Sequence, residues 1–221
     1  MSSVVSPNVL VDPPDGAAAW KIHVYAHTHW DREWYQPFER FRMQLVNAID
    51  LMIETLETRD DFPTFVLDGQ TIVIDDYLAI RPEREARLAA LIAEGRIEVG
   101  PWYILPDEFL VSGESIIRNL LEGGRRASQL GRCTNVGYLP DPFGHIAQLP
   151  QILQGFGIDS MIFSRGMGDE FAELGNEFRW YAPDGQRSVL ALVQTATYTN
   201  GYCNAEVLSK AHVDSDVPMY I

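Results

Sequence analysis

The 221-residue chain reads as an α/β protein, a parallel sheet with helical crossovers, open or curled into a barrel. Three observations predict this. Short apolar runs of strand length alternate with longer segments whose apolar residues recur at helical spacing, the order that builds βα units. The chain is 46% hydrophobic, enough to bury a sizeable core. Histidines and aspartates gather just past two of the apolar runs, at strand ends, where α/β enzymes assemble their sites.

Residues 1–19, rich in Pro, Ser, Asp, Val and Ala, read as a flexible lead-in, and residues 20–221 as one partial β/α domain. Residues 21–26 (KIHVYA) predict a first strand running into His27, His29 and Asp31. Residues 40–56 predict a helix with one buried face, carried by Met43, Val46, Ile49, Met52 and Ile53. A second strand over 64–67 ends in Asp68-Gly69-Gln70, and a helix over 71–80 stops before Pro82. An amphipathic helix over 83–94 is closed by Gly95.

Residues 96–100 (RIEVG) predict a third strand leading into Pro101-Trp102-Tyr103 and the acidic pair Asp107 and Glu108. Helix 115–130 ends at Gly131, and a fourth strand over 135–139 carries Asp141 just past its end. A short helix over 150–155 precedes a fifth strand, 160–164 (SMIFS), ending at Arg165. Two further strands, 177–181 and 188–192, flank Pro183-Asp184-Gly185, a hairpin signature. After Leu192 the pattern weakens.

Charge and cysteine content narrow the function classes. With 31 acidic against 17 basic residues the net charge is −14, and both a general nucleic-acid partner and an anionic membrane need a basic footprint. No apolar stretch approaches the roughly 20 residues that cross a bilayer. Cys133 and Cys203 form neither a disulfide framework nor a CxxC zinc site. Residues 1–16 lack the basic and apolar regions of a signal peptide, so the expectation is a cytoplasmic protein.

The chemistry lies in two segments, HTHWDREW (27–34) and GYLPDPFGH (137–145). Residues two apart on a strand share a face, so His27, His29 and Asp31 point into one cleft if the extended conformation continues. Imidazole nitrogen and carboxylate oxygen suit zinc, and Asp141 adds an anionic ligand from a second strand end. Three protein ligands leave the open position that a catalytic metal needs. A lone buried histidine most often completes a hydrogen-bond network; His23 fits that role, His145 fits either a ligand or a loop-packing role, and His212 is assigned none.

Trp30, Trp34, Trp102 and Tyr103 cluster at the predicted strand ends, where aromatic faces stack on sugars or simply fill the core. Arg165 stands where it could clamp a hydroxyl, steady Asp141 or form a plain salt bridge.

HTHWDREW and GYLPDPFGH, with the intervening VLDGQT, GPWY and ESIIRNLLEG, resemble the family 38 α-mannosidases, retaining glycoside hydrolases, of the bacterial cytoplasmic type. The resemblance runs from about residue 21 to 202. It implies a barrel-like catalytic domain and one zinc ion that grips two neighbouring hydroxyls of a bound mannose. Position by position it makes His29, Asp31 and Asp141 zinc ligands and excludes His27. It makes Asp141 the nucleophile as well, Trp34 and Phe143 aromatics beside the sugar, and Arg165 an arginine touching the nucleophile. Tyr198 or Tyr202 corresponds to a substrate-contacting tyrosine.

The implied reaction is double displacement on an α-mannoside, with a second carboxyl group about 5–5.5 Å from the nucleophile. The resemblance is also compatible with a homo-oligomer. Family members are several times longer, and their acid/base aspartate and a further histidine ligand lie beyond the matched region. Asp107 and Glu108 match a structural loop motif instead. The chain is therefore expected to be a fragment, inactive alone and a weak zinc binder.

Two other readings stand beside this one. Polysaccharide deacetylases use a His-x-x-x-His pair, but His23 and His27 on one strand would lie about 13 Å apart. A non-catalytic sugar-binding remnant would bind mannose without turnover.

Overall fold

A computed structural model describes residues 26–194. The lead-in, His23, Tyr198, Tyr202, Cys203 and His212 lie outside the described residues. The elements alternate as expected: β1 (Ala26–Thr28), α1 (Phe38–Thr58), β2 (Phe65–Leu67), α2 (Ile72–Leu78), α3 (Glu85–Ala93), β3 (Ile97–Glu98) and α4 (Gly113–Leu130). Then follow β4 (Gly137–Leu139), α5 (Leu149–Gly155), β5 (Ser160–Phe163), α6 (Phe171–Leu174), β6 (Glu177–Tyr181) and β7 (Ser188–Val193).

The strands form two sheets, β1-β2-β3 and β4-β5-β7-β6. Every pairing is parallel except that of β6 with β7. The predicted hairpin is present, its turn held by the Asp184 carboxylate accepting from Gln186 N and Arg187 N. Its second strand, β7, returns beside β5, so the parallel order continues and β6 becomes the edge.

Links between the two sheets run from β3 to β4. Thr134 N donates to Val99 O at 2.9 Å, and the indole of Trp102 donates to Tyr138 O at 3.0 Å. Laid flat, three strand intervals would separate β1 from β4 by about 14 Å. The ends of those two strands nevertheless meet, so the array curls. Barrel closure is not seen among the described residues.

The helices lie where amphipathic patterning puts them. α1 buries Phe41, Leu45, Val46, Ile49, Met52, Ile53 and Leu56. Met43, expected on that face, is 67% exposed, because at 100° per residue it falls well away from the stripe centred on Ile49 and Leu56. α1, α2, α3 and the ends of β2 and β3 enclose one apolar cluster; α4, α5, β4, β5 and β7 enclose a second, built around Trp102, Leu139, Phe163 and Val189.

α4 starts on Ser112, whose hydroxyl accepts from Ser115 N at 3.1 Å. Gly95 closes α3 as expected, at φ 75°, with Arg96 N bonded back to Leu91 O.

Several predicted spans are longer than the observed ones. Strand 96–100 pairs only over Ile97–Glu98, since Gly100 takes a positive φ of 81° ahead of Pro101. Helix 83–94 begins as a 3-10 turn over Pro82–Arg84. The four-residue α6 was not predicted, being too short to show a period. No helix among the described residues is long and apolar enough to cross a membrane.

Candidate active site

β1 stops at Thr28, and the chain leaves the sheet carrying His29 and Asp31 on the segment that leads to α1. Two anchors fix that segment. Arg32 makes a paired ion contact with the buried Asp76 of α2, at 2.6 and 2.8 Å, and Trp30 N donates to Asp68 at 2.7 Å. The aromatic ring of Trp30 packs on the first core, edge-on to Phe41 at 6.0 Å.

Asp68 follows β2 and is completely buried. It adopts φ 49°, in the left-handed region, where aspartate is among the tolerated residues. Gly69 then passes so close to Tyr138 that a Cβ would lie 3.0 Å from its ring. The end of β2 thereby lies against the end of β4, and Asp141 comes within reach of β1.

His29 is the centre of the site. Its Nε2 lies 3.7 Å from Asp31 Oδ2 and 3.7 Å from Asp141 Oδ2, while its Nδ1 is 3.2 Å from Asp68 Oδ1. Burial works against a charged His29 ring, but the hydrogen bond and charge of Asp68, with the charges of Asp31 and Asp141, outweigh it and raise its pKa. Desolvation pushes the Asp68 carboxyl up, with His29, Trp30 N and Gln70 pulling the other way.

Asp141 divides its two oxygens. Oδ2 faces His29, and Oδ1 lies 2.5 Å from Arg165 Nη2, which also donates to Asp141 O at 3.2 Å. Arg165 follows β5, and its guanidinium caps the Phe143 ring at 4.2 Å from the centroid. Ser164 Oγ donates to Pro140 O, tying the ends of β4 and β5 together.

Three carboxylates around one imidazole, against one guanidinium, make a site suited to a cation. The donor set of one histidine and two aspartates suits zinc. A carboxylate on the far ring nitrogen is the usual companion of a metal-bound histidine. No group of three His, Cys, Asp or Glu side chains among the described residues is gathered tightly enough to hold an ion as it stands. Asp31 and Asp141 each stand 3.7 Å from His29 Nε2, and Asp68 pairs with Nδ1 on the other side.

The other candidates take different places, and of them Phe143 touches the site through Arg165. His27 lies within β1, opposite Val66, and burial lowers its pKa against the charge of Asp68. Because β1 ends before His29, the strand alternation that would put both rings on one face does not carry through the motif. Trp34 is 76% exposed and lies edge-on to Tyr35 at 5.2 Å; Phe143 is 71% exposed. Trp102 is a core residue, fully buried.

His145 packs a loop: Nε2 donates to Arg165 O at 3.1 Å and Nδ1 pairs with buried Glu108 at 2.7 Å. Glu108 also receives Ile146 N at 2.8 Å, so it ties the loop after β3 to the loop carrying Asp141. The loop-packing reading of His145 and the structural loop reading of Glu108 are thus the ones the geometry supports. Asp68 and Gln70 had no role of their own in the sequence reading, only their place in the VLDGQT motif after β2.

Comparison with known proteins decides the family. The model of the glycosyl hydrolases family 38 N-terminal domain matches residues 19–219. The chain belongs to family 38. Within it, the chain is 42% identical over 190 residues to a putative mannosylglycerate hydrolase of Halalkalibacterium halodurans, covering 81% of this chain and 21% of the relative. It is 30% identical to alpha-mannosidase 2C1 of Mus musculus, over 78% of this chain and 17% of that one.

Among solved family 38 structures, an alpha-mannosidase from Enterococcus faecalis V583 superposes with TM-score 0.76 at 37% identity, over 81% of this chain and 20% of that one. The chain thus spans about a fifth of the length of the relatives it matches.

Proposed function

We propose that this chain carries the nucleophile and metal-binding part of a retaining, zinc-dependent α-mannoside hydrolase. The observation that carries the reading is the placing of Asp141 between two partners, with one oxygen toward His29 and the other on Arg165. Membership of family 38 supports the substrate class. His29, Asp31 and Asp141 would hold the zinc, which when bound would polarise and orient two neighbouring hydroxyls of the sugar.

Asp141 then attacks the anomeric carbon as the glycosidic C–O bond breaks, and water later hydrolyses the mannosyl ester. Arg165 holds the attacking carboxylate in place through its Oδ1. Trp34 and Phe143, both exposed on the segments that follow β1 and β4, offer apolar faces to the sugar. The acid that protonates the leaving oxygen, and a further histidine ligand, belong to the remainder of the family architecture. The isolated chain is therefore proposed to turn over poorly and to bind zinc weakly, in a cytoplasmic setting.

The test uses a 5-fluoro α-mannosyl fluoride, whose leaving group needs no protonation. Incubated with zinc and the chain, it is expected to esterify Asp141, read by peptide mass spectrometry. Esterification elsewhere, or undiminished labelling of Asp141→Asn, would overturn the assignment. Rapid turnover of an ordinary aryl α-mannoside by the 221-residue chain would overturn the proposed inactivity.

A further inference from the structure

We infer that Asp68 is a positioning residue that selects the metal-binding tautomer of His29. The inference rests on the reading of His29 as a cation ligand and goes beyond it. Asp68 Oδ2 receives two donors, Trp30 N at 2.7 Å and Gln70 Nε2 at 2.7 Å. Neither can be reversed. A backbone N–H only donates, and the amide of Gln70 is fixed because its Nε2 also donates to Trp30 O at 2.9 Å.

The remaining oxygen, Oδ1, faces His29 Nδ1 at 3.2 Å. As a carboxylate, Asp68 accepts there too, so Nδ1 carries the hydrogen. In a neutral imidazole the lone pair then belongs to Nε2, the nitrogen that lies between Asp31 and Asp141. Full burial of Asp68 removes water as a rival partner. The left-handed backbone at this residue points the carboxylate back toward the β1 end, and such a conformation is retained where the surroundings require it.

This accounting gives Asp68→Asn a specific consequence. Asparagine is isosteric and tolerates the left-handed backbone, so the fold persists. Its oxygen satisfies Trp30 and Gln70, which leaves its NH2 facing His29. Nδ1 must then accept, and the hydrogen moves to Nε2, blocking ligation. Loss of a partner of this kind costs about 10- to 100-fold in metal affinity.

The experiment titrates the 221-residue chain and Asp68→Asn with zinc against a chromophoric chelator. Urea unfolding midpoints of the metal-free forms are measured in parallel, and the side-chain nitrogens of His29 in those metal-free forms are followed by 15N NMR at a pH where the ring is neutral. The expected result is a loss of about 10- to 100-fold in affinity with a nearly unchanged midpoint. The neutral, metal-free wild type should carry its hydrogen on Nδ1, and the variant should carry it on Nε2. Equal affinities would overturn the role of Asp68 while leaving the zinc site intact. A neutral, metal-free wild type with its hydrogen on Nε2 would do the same. Absence of zinc binding by the wild type would overturn the site reading itself, and this inference with it.

Discussion

At the scale of single residues, the site depends on how Asp141 shares its two oxygens. In the proposed reaction Asp141 serves both a cation and an anomeric carbon, and Arg165 holds one of its oxygens from the end of β5. Replacing Arg165 with Met removes a charge-assisted contact worth about 1.5–3 kcal/mol. The rate of Asp141 esterification by the activated fluoride should therefore fall about 10- to 100-fold. A rate within twofold of wild type would show that the guanidinium is a bystander.

His29, Asp31, Asp141 and Arg165 meet in the structure, and the sequence marks them as charged or imidazole side chains shortly past apolar runs. The roles of Asp68 and Gln70 were not legible there, although the VLDGQT motif that holds them was. Their roles depend on complete burial and on a left-handed turn that no periodicity encodes.

At the scale of elements, helix patterning was readable and strand length was not. Residues 64–67 and 160–164 were read as strands and pair over nearly the same spans, whereas 96–100 stops short at Gly100. Apolar runs report burial, while pairing depends on a neighbour the sequence does not display. The interface of α4 shows the same limit. Gly123 lies so close to the 101–103 backbone that an added Cβ would meet Pro101 O at 2.2 Å, yet Gly124 faces open space.

Gly123→Ala should destabilise the chain by about 1–3 kcal/mol, the cost of overpacking. Gly124→Ala should stabilise it by up to about 1 kcal/mol through helix propensity. Urea unfolding of the two variants distinguishes them by sign.

Between α1 and α2, the buried Tyr77 hydroxyl donates to Asp50 at 2.7 Å, and burial with the Asp50 charge raises its pKa above the ordinary tyrosine value. A raised folded value means the native state holds its proton longer than the unfolded chain. That contribution is full below the ordinary value and is lost as pH rises through the folded one. The stability gap between wild type and Tyr77→Phe should therefore shrink above about pH 10, measured from urea midpoints. A constant gap would contradict it.

At the scale of the whole molecule, the α/β class and the order of strands followed from alternation alone. The return of β7 beside β5 did not, because a hairpin motif leaves open which arm joins the sheet. The curl that brings β1 to β4 matters most for function, and Trp102 links the two sheets at its centre. Trp102→Phe keeps most of the buried ring and leaves Tyr138 O without its indole partner, at an expected cost of about 1–3 kcal/mol in unfolding free energy.

The central claim is that the curl lets His29, Asp31 and Asp141 share one divalent cation. Calorimetric titration of the chain with zinc, beside Asp31→Asn and Asp141→Asn, tests it most directly. The account predicts a single weak site in the wild type that disappears in both variants. A wild type that takes up no zinc, or a site that survives Asp141→Asn unchanged, would contradict it.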